Sequence, residues 1–220
     1  LSGDSVFVKL FEQDDVIATA KAVVGAYSAA PKPFEALAGA KVTSPYEEGS
    51  LFHGPAFQLL DEWVLTDKGS SAILNLDATD APSGHLGQIL LDAATHGIVH
   101  DNLNLWSKDI PNDQVAYPAW ISNLTIHGPK PTQGKVRCET RFDGFVGGKR
   151  FPAFVVQLIA DGEVWLSFKL VEALFPKGPL GSVSPEARAH FLRDRQYVDG
   201  VGLSSTKNSK TILRVADVHE

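Results

Sequence analysis

The chain has 220 residues, 44% of them hydrophobic and 21% charged, with a formal net charge of -6. That length suits one large domain or two small ones, and the composition is ordinary for a water-soluble globular protein. The acidic balance argues against a nucleic-acid partner, which needs clustered Lys and Arg; no apolar run is long enough for a membrane-spanning helix; and the single cysteine, Cys138, excludes an internal disulfide.

In chain order, residues 5–24 alternate as two strands around the turn Glu12-Gln13-Asp14-Asp15, a hairpin. Residues 28–45, rich in Ala, Pro and Gly, read as a linker. Strands are expected at Phe57 to Leu65 and Ala72 to Leu76, around the turn Asp67-Lys68-Gly69-Ser70. The run from Ile89 to His100 is apolar on nearly every side and predicts a buried helix. Trp106 to Pro118 reads as loop. Further strands follow at Ile121 to Ile126, Val136 to Phe142, Phe154 to Ala160 and Glu163 to Leu174, the last two joined by the hairpin turn Asp161-Gly162. Cys138, in the alternating run VRCETRF, is a strand residue. Ser184-Pro185-Glu186 opens a short helix to about Asp194, with a Ser cap and Pro at its first position. Weak strand character returns at Thr211 to Val215. The expected class is α+β: an antiparallel sheet curled round one buried helix over about residues 45–175, the hot-dog arrangement. The expected units are a hairpin at 1–30, a linker at 31–45, the hot dog at 46–180 and a helix with tail at 181–220.

Two segments could carry chemistry. In Leu90-Leu91-Asp92-Ala93-Ala94-Thr95-His96, a carboxylate sits in an otherwise apolar helix, where burial is costly unless the group is paired or functional. His96, four residues on, shares the helical face of Asp92, and His100 extends the stripe by a turn. The pattern fits either a candidate acid/base site or a satisfied polar contact in the core. The second segment is Tyr46-Glu47-Glu48-Gly49-Ser50-Leu51-Phe52-His53-Gly54-Pro55-Ala56-Phe57-Gln58. Its Gly and Pro residues can equally shape a turn into a strand.

YEEGSLFHGPAFQ closely resembles the Tyr-x-x-Gly-x-x-(Phe/Tyr)-x-Gly-Pro-x-Phe-Gln motif that opens the second hot-dog half of polyketide synthase dehydratase domains, and LLDAATH resembles that family's helix motif. Order and separation match over roughly residues 45–180, and LFPKGPLG is most similar to synthases of polyunsaturated fatty acids. The resemblance implies elimination of water from a 3-hydroxyacyl chain held on an acyl carrier protein, without metal or organic cofactor. A His from a first hot-dog half would take the alpha proton. Asp92, its pKa raised in an apolar tunnel, would protonate or orient the leaving hydroxyl, and His96 would hold it. Tyr46, Phe52, His53, Gly54, Pro55, Phe57 and Gln58 fall in the motif that borders the substrate tunnel. Other synthase domains are the implied partners and the cytoplasm the implied compartment; no nucleic acid or membrane is expected.

The sequence departs from the family in one respect that matters for activity. It has no His before His53, and Gly87-Gln88 stands where His-Pro is usual. Three explanations follow: the chain is a piece of a longer polypeptide whose upstream part supplies the base; it is a pseudo-dehydratase that binds an acyl chain or serves architecture; or another His substitutes, with His53 the best placed. His85, His127 and His190 read as structural or surface residues. A homodimer pairing hot dog to hot dog would set Asp92 against another Asp. A hot-dog thioesterase, activating water with Asp92, is a third functional alternative.

Overall fold

The computed structural model describes residues 4–178 apart from 52, 83 and 85, and beyond them residues 183, 184, 186, 187, 190, 203, 204 and 211–213. The expected helix from Ser184 to Asp194 therefore lies largely outside the described residues, as do Phe52 and His85.

The hairpin forms as its alternation predicts. Strands β1 (Asp4–Glu12) and β2 (Asp15–Val24) pair antiparallel, with a register shift at Leu10/Phe11. Gln13 takes a positive φ in the turn. Every residue of both strands is exposed.

The body of the chain is a six-stranded antiparallel sheet. Its strands are β3 (Leu60–Thr66), β4 (Gly69–Asn75), β5 (Gln114–Ile126), β6 (Lys135–Phe145), β7 (Pro152–Ala160) and β8 (Glu163–Pro176), in the order β3-β4-β6-β7-β8-β5. Asp161 and Gly162 both have positive φ, as the two-residue turn between β7 and β8 requires. Two short strands, β9 (Leu203–Ser204) and β10 (Thr211–Leu213), pair separately.

Two expectations about strands need correction. Phe57 does not begin a strand: Pro55–Phe57 forms a 3-10 turn, and β3 starts at Leu60. The expected loop from Trp106 to Pro118 ends early, because β5 begins at Gln114 and runs through Pro118. Proline is tolerated there because β5 is an edge strand, paired only with β8, and its register shifts beside Pro118.

The helix is also shorter than expected. Helix α1 spans Gln88–Ala93, opened by Gly87 in the left-handed region. Ala94 still bonds back to Leu90, but the amides of Thr95 and His96 bond three residues back, to Asp92 and Ala93. The Thr95 hydroxyl also donates to the Asp92 carbonyl, at 2.8 Å. A β-branched residue followed by Gly97, Ile98 and Val99 gives poor helix propensity, so the chain tightens into 3-10 turns. Six residues cannot hold a helix by themselves. Burial of Ile89, Leu90 and Ala93 against the sheet's inner face does so, at roughly 1.5–3 kcal/mol for each large side chain.

Residues 28–42, read from sequence as a linker, form a strap across the sheet's outer face. The Ser28 carbonyl meets His127, whose other ring nitrogen meets Ser167 on β8. Gln157 on β7 accepts from the Phe34 amide and donates to the Lys32 carbonyl. Arg137 and Arg141 on β6 donate to the Phe34 and Glu35 carbonyls, and Ser71 on β4 accepts from the Leu37 amide. Lys41 bridges to Val64 on β3. Beneath the strap, Glu139 is fully buried between Arg137 and Arg141, at 2.5 and 2.9 Å, and accepts from Ser71 at 2.6 Å.

A candidate acid-base site

Asp92 lies in the last turn of α1, with its side chain 39% exposed. The tightened turn after Ala93 keeps His96 on the same side, so that Nε2 of His96 lies 3.1 Å from Oδ2 of Asp92. The contact is close but poorly aligned for a hydrogen bond, and both atoms are buried with hydrogen-bonding capacity left over. The His96 side chain is only 1% exposed.

Tyr46 fixes the other side of that ring. Residues 44–51 make a compact turn: the Glu47 and Glu48 amides bond to the Ser44 carbonyl, and Gly49 takes a positive φ. The buried Tyr46 hydroxyl lies 2.7 Å from Nδ1 of His96 and 3.4 Å from the Leu60 amide. The amide donates to the hydroxyl and the hydroxyl to Nδ1, an assignment that leaves Nε2–H facing Asp92. Burial above all, with the Asp92 charge adding to it, pushes the Tyr46 hydroxyl up to about 12, so it keeps its proton.

His53 completes the cluster. Its Nε2 is 3.7 Å from Oδ2 of Asp92, and its ring stacks at a tilt on His96, with centroids 4.1 Å apart. The Gln58 side chain anchors the His53 carbonyl at 2.6 Å, while Pro55–Phe57 turns the chain back toward β3. Gly54, Pro55 and Phe57 are exposed beside it.

The charges of this cluster differ from expectation. Burial works to raise the Asp92 carboxyl, but the His96 contact and then His53 outweigh it and hold it below the ordinary value. Asp92 is therefore a carboxylate in the free protein, not the neutral acid that an apolar tunnel would enforce; its half-open position and two imidazole neighbours are the reason. His53 moves down, through burial first and the nearby His96 and His100 rings next, which outweigh the pull of Asp92. A lowered imidazole is neutral at neutral pH and able to accept a proton.

His100 does not continue the stripe. Because α1 ends at Ala93, His100 turns into the core, where Nδ1 sits 3.0 Å from Glu172 and Nε2 meets the Thr95 carbonyl at 3.2 Å. Burial would lower this imidazole, but Glu172 and the Thr95 carbonyl raise it above its usual value. Sequence periodicity had no means of finding Glu172, which lies 72 residues away on β8. His127 is a strap anchor, and His190 is exposed. Cys138 is buried on β6, its thiol pushed up to about 12 chiefly by burial, and so is unreactive.

No protein-family model matches the chain, and no curated protein matches it in sequence. Solved structures do. The dehydratase domain of the CurJ module of curacin polyketide synthase superposes with a TM-score of 0.55 at 16% identity, covering 79% of this chain and 64% of that domain. The dehydratase domain of RzxB from Pseudomonas fluorescens gives 0.55 and 16%, covering 78% and 63%. That of PpsC from Mycobacterium tuberculosis, solved in complex with C12:1-CoA, gives 0.55 and 18%, covering 79% and 65%. This chain thus spans a little under two thirds of each domain. No helix among its described residues is long and apolar enough to cross a membrane. Identities this low speak to architecture: the chain has the hot-dog fold of polyketide synthase dehydratase domains.

Proposed function

We propose that this chain is a dehydratase-like domain of a polyketide or polyunsaturated fatty acid synthase, and that it eliminates water from a 3-hydroxyacyl chain carried on an acyl carrier protein. The observation that carries this reading is the His53 imidazole, held 3.7 Å from Asp92 and kept neutral chiefly by burial.

The chemistry follows from the charge states. The thioester acidifies the C2 proton, and neutral His53 takes it. The C2–H electrons become the C2–C3 double bond as the C3–O bond breaks. Asp92, a carboxylate, accepts a hydrogen bond from the 3-hydroxyl and orients it. The imidazolium formed at His53 lies next to Asp92, which stabilises it, and its proton passes to the departing oxygen. Water leaves, a 2-enoyl thioester remains, and both side chains return to their starting states. His96, held by Tyr46, positions Asp92. The PpsC complex with C12:1-CoA lends support, because a twelve-carbon acyl thioester binds a domain of this fold.

The test is turnover of a 3-hydroxyacyl pantetheine thioester, followed by enoyl absorbance. Asp92→Asn and His53→Gln are each expected to lower kcat by about 100-fold or more, the usual contribution of a positioned acid or base. Unchanged turnover in either variant overturns the assigned roles. Thioester binding without turnover in the unaltered protein supports a non-catalytic acyl-binding domain instead.

A further inference from the structure

The cluster that suits proton transfer also has the spacing of a metal site. Oδ2 of Asp92 lies 3.7 Å from Nε2 of His53 and 3.1 Å from Nε2 of His96, and the three residues offer ligand atoms all within 4.8 Å of one another. In a tetrahedral zinc site, bonds of about 2.0–2.1 Å place neighbouring ligand atoms about 3.3 Å apart. Both contacts of Asp92 are near that spacing.

A second observation points the same way. His96 is 1% exposed, and its Nε2 is aimed at Asp92 without an aligned hydrogen bond; the Asp92 Oδ2 is likewise buried with spare capacity. The opposite ring nitrogen of His96 is held by Tyr46 at 2.7 Å, the outer support that orients imidazole ligands in metal sites. When Nε2 ligates, that bond reverses: Nδ1–H donates to the Tyr46 oxygen. The partial exposure of His53 and Asp92, 32% and 39%, leaves the remaining coordination position open toward solvent.

We propose that His53, Asp92 and His96 bind one divalent cation of the zinc class, with an exchangeable fourth ligand, and that the bound ion shuts off proton transfer at this site. Two imidazoles and one carboxylate favour zinc, cobalt or nickel over magnesium and calcium, which need more oxygen ligands. The ion occupies the His53 lone pair that would take the C2 proton and the carboxylate oxygen that would orient the hydroxyl. The inhibitory half rests on the proposed dehydration; the binding half does not.

The experiment titrates the full chain with zinc against a chromophoric chelator, and with cobalt as a spectroscopic probe of coordination. One equivalent is expected to bind, with tetrahedral cobalt absorption, and magnesium is not expected to compete. His53→Gln, on an exposed turn, and Asp92→Ala should each weaken zinc at least 10-fold, and Tyr46→Phe by roughly 10-fold through lost ligand support. His190→Ala, an exposed imidazole outside the cluster, should change nothing. The urea midpoint of each variant separates lost ligation from lost folding. Zinc that binds all variants equally, or fails to bind at micromolar concentration, overturns the site. Zinc that binds at the triad but leaves measured turnover unchanged overturns the inhibition. Zinc bound at the triad of a protein with no turnover confirms the site and counts against dehydration alone.

Discussion

His96 and His100 are the same residue type one turn apart, yet they are put to opposite uses. His96 keeps one ring nitrogen on Tyr46 and turns the other to a half-exposed carboxylate. His100 is enclosed with Glu172, a pair that holds the core rather than the site. Its stability effect has a definite sign. The folded-state pKa of His100 is raised, so its contribution is complete below the unfolded value of about 6.5 and is lost as pH rises through the folded one. Urea-unfolding free energy of the unaltered protein should therefore fall as pH rises above about 6.5, relative to the neutral pair His100→Asn/Glu172→Gln, which has nothing to titrate there. A difference that stays flat, or rises, with pH contradicts the assignment. His100→Asn alone strands a buried carboxylate and should cost about 3–5 kcal/mol. At this scale the sequence disclosed Asp92 and His96, because their contact is local. Spacing alone could not disclose that His53 reaches them, because Asp92 lies 39 positions further on; only the motif resemblance set His53 beside the tunnel. Nor could it give the charge on Asp92, which depends on both imidazoles at once.

The strap shows how an element can be hidden by its own composition. Ala, Pro and Gly in residues 28–45 carry no period of 2 or 3.6, so they read as a linker. What orders them is on the other side of the contact: Gln157, Arg137, Arg141 and Ser71 bond the strap's backbone. The alternation of VRCETRF marked β6 as a strand, yet its polar face reads as solvated until the strap is seen to cover it. Glu139 is the centre of this arrangement. Glu139→Ala removes one anion from between two cations and frees Ser71, and should cost about 3–5 kcal/mol, as for other broken buried pairs. Limited proteolysis should then cut within residues 28–42 well before the sheet unfolds; a strap that stays resistant would show that its packing does not depend on the clamp. The shortened α1 teaches a related lesson. Apolar continuity through His100 signalled burial correctly, but burial does not require helix, and Thr95-His96-Gly97 ends it by local propensity.

At the scale of the whole molecule, the chain divides between surface that is covered and surface that is not. The sheet's inner face holds α1 and its outer face the strap, whereas β1 and β2 expose Val6, Phe7, Leu10 and Ile17, all at or above 50%. A two-stranded hairpin contributes little stability by itself. Removing residues 1–25 should shift the urea-unfolding free energy of the remaining sheet by no more than about 0.5 kcal/mol, the scale of a change away from the core. A larger loss would mean that the hairpin supports the body. Most of the strands and the hot-dog class were legible because strand alternation, the Asp161-Gly162 turn and one apolar run all agreed, whereas the order of the strands across the sheet was not. The curl that makes the fold is a collective property of six strands, and the strap bears on it mechanically. Its anchors sit on β8, β7, β6, β4 and β3 in turn, so it runs across the strands like a hoop across barrel staves. Tension arriving through residue 28 would load the anchors one after another, peeling them in sequence, while the backbone ladders of the sheet stay unstressed until the hoop lets go.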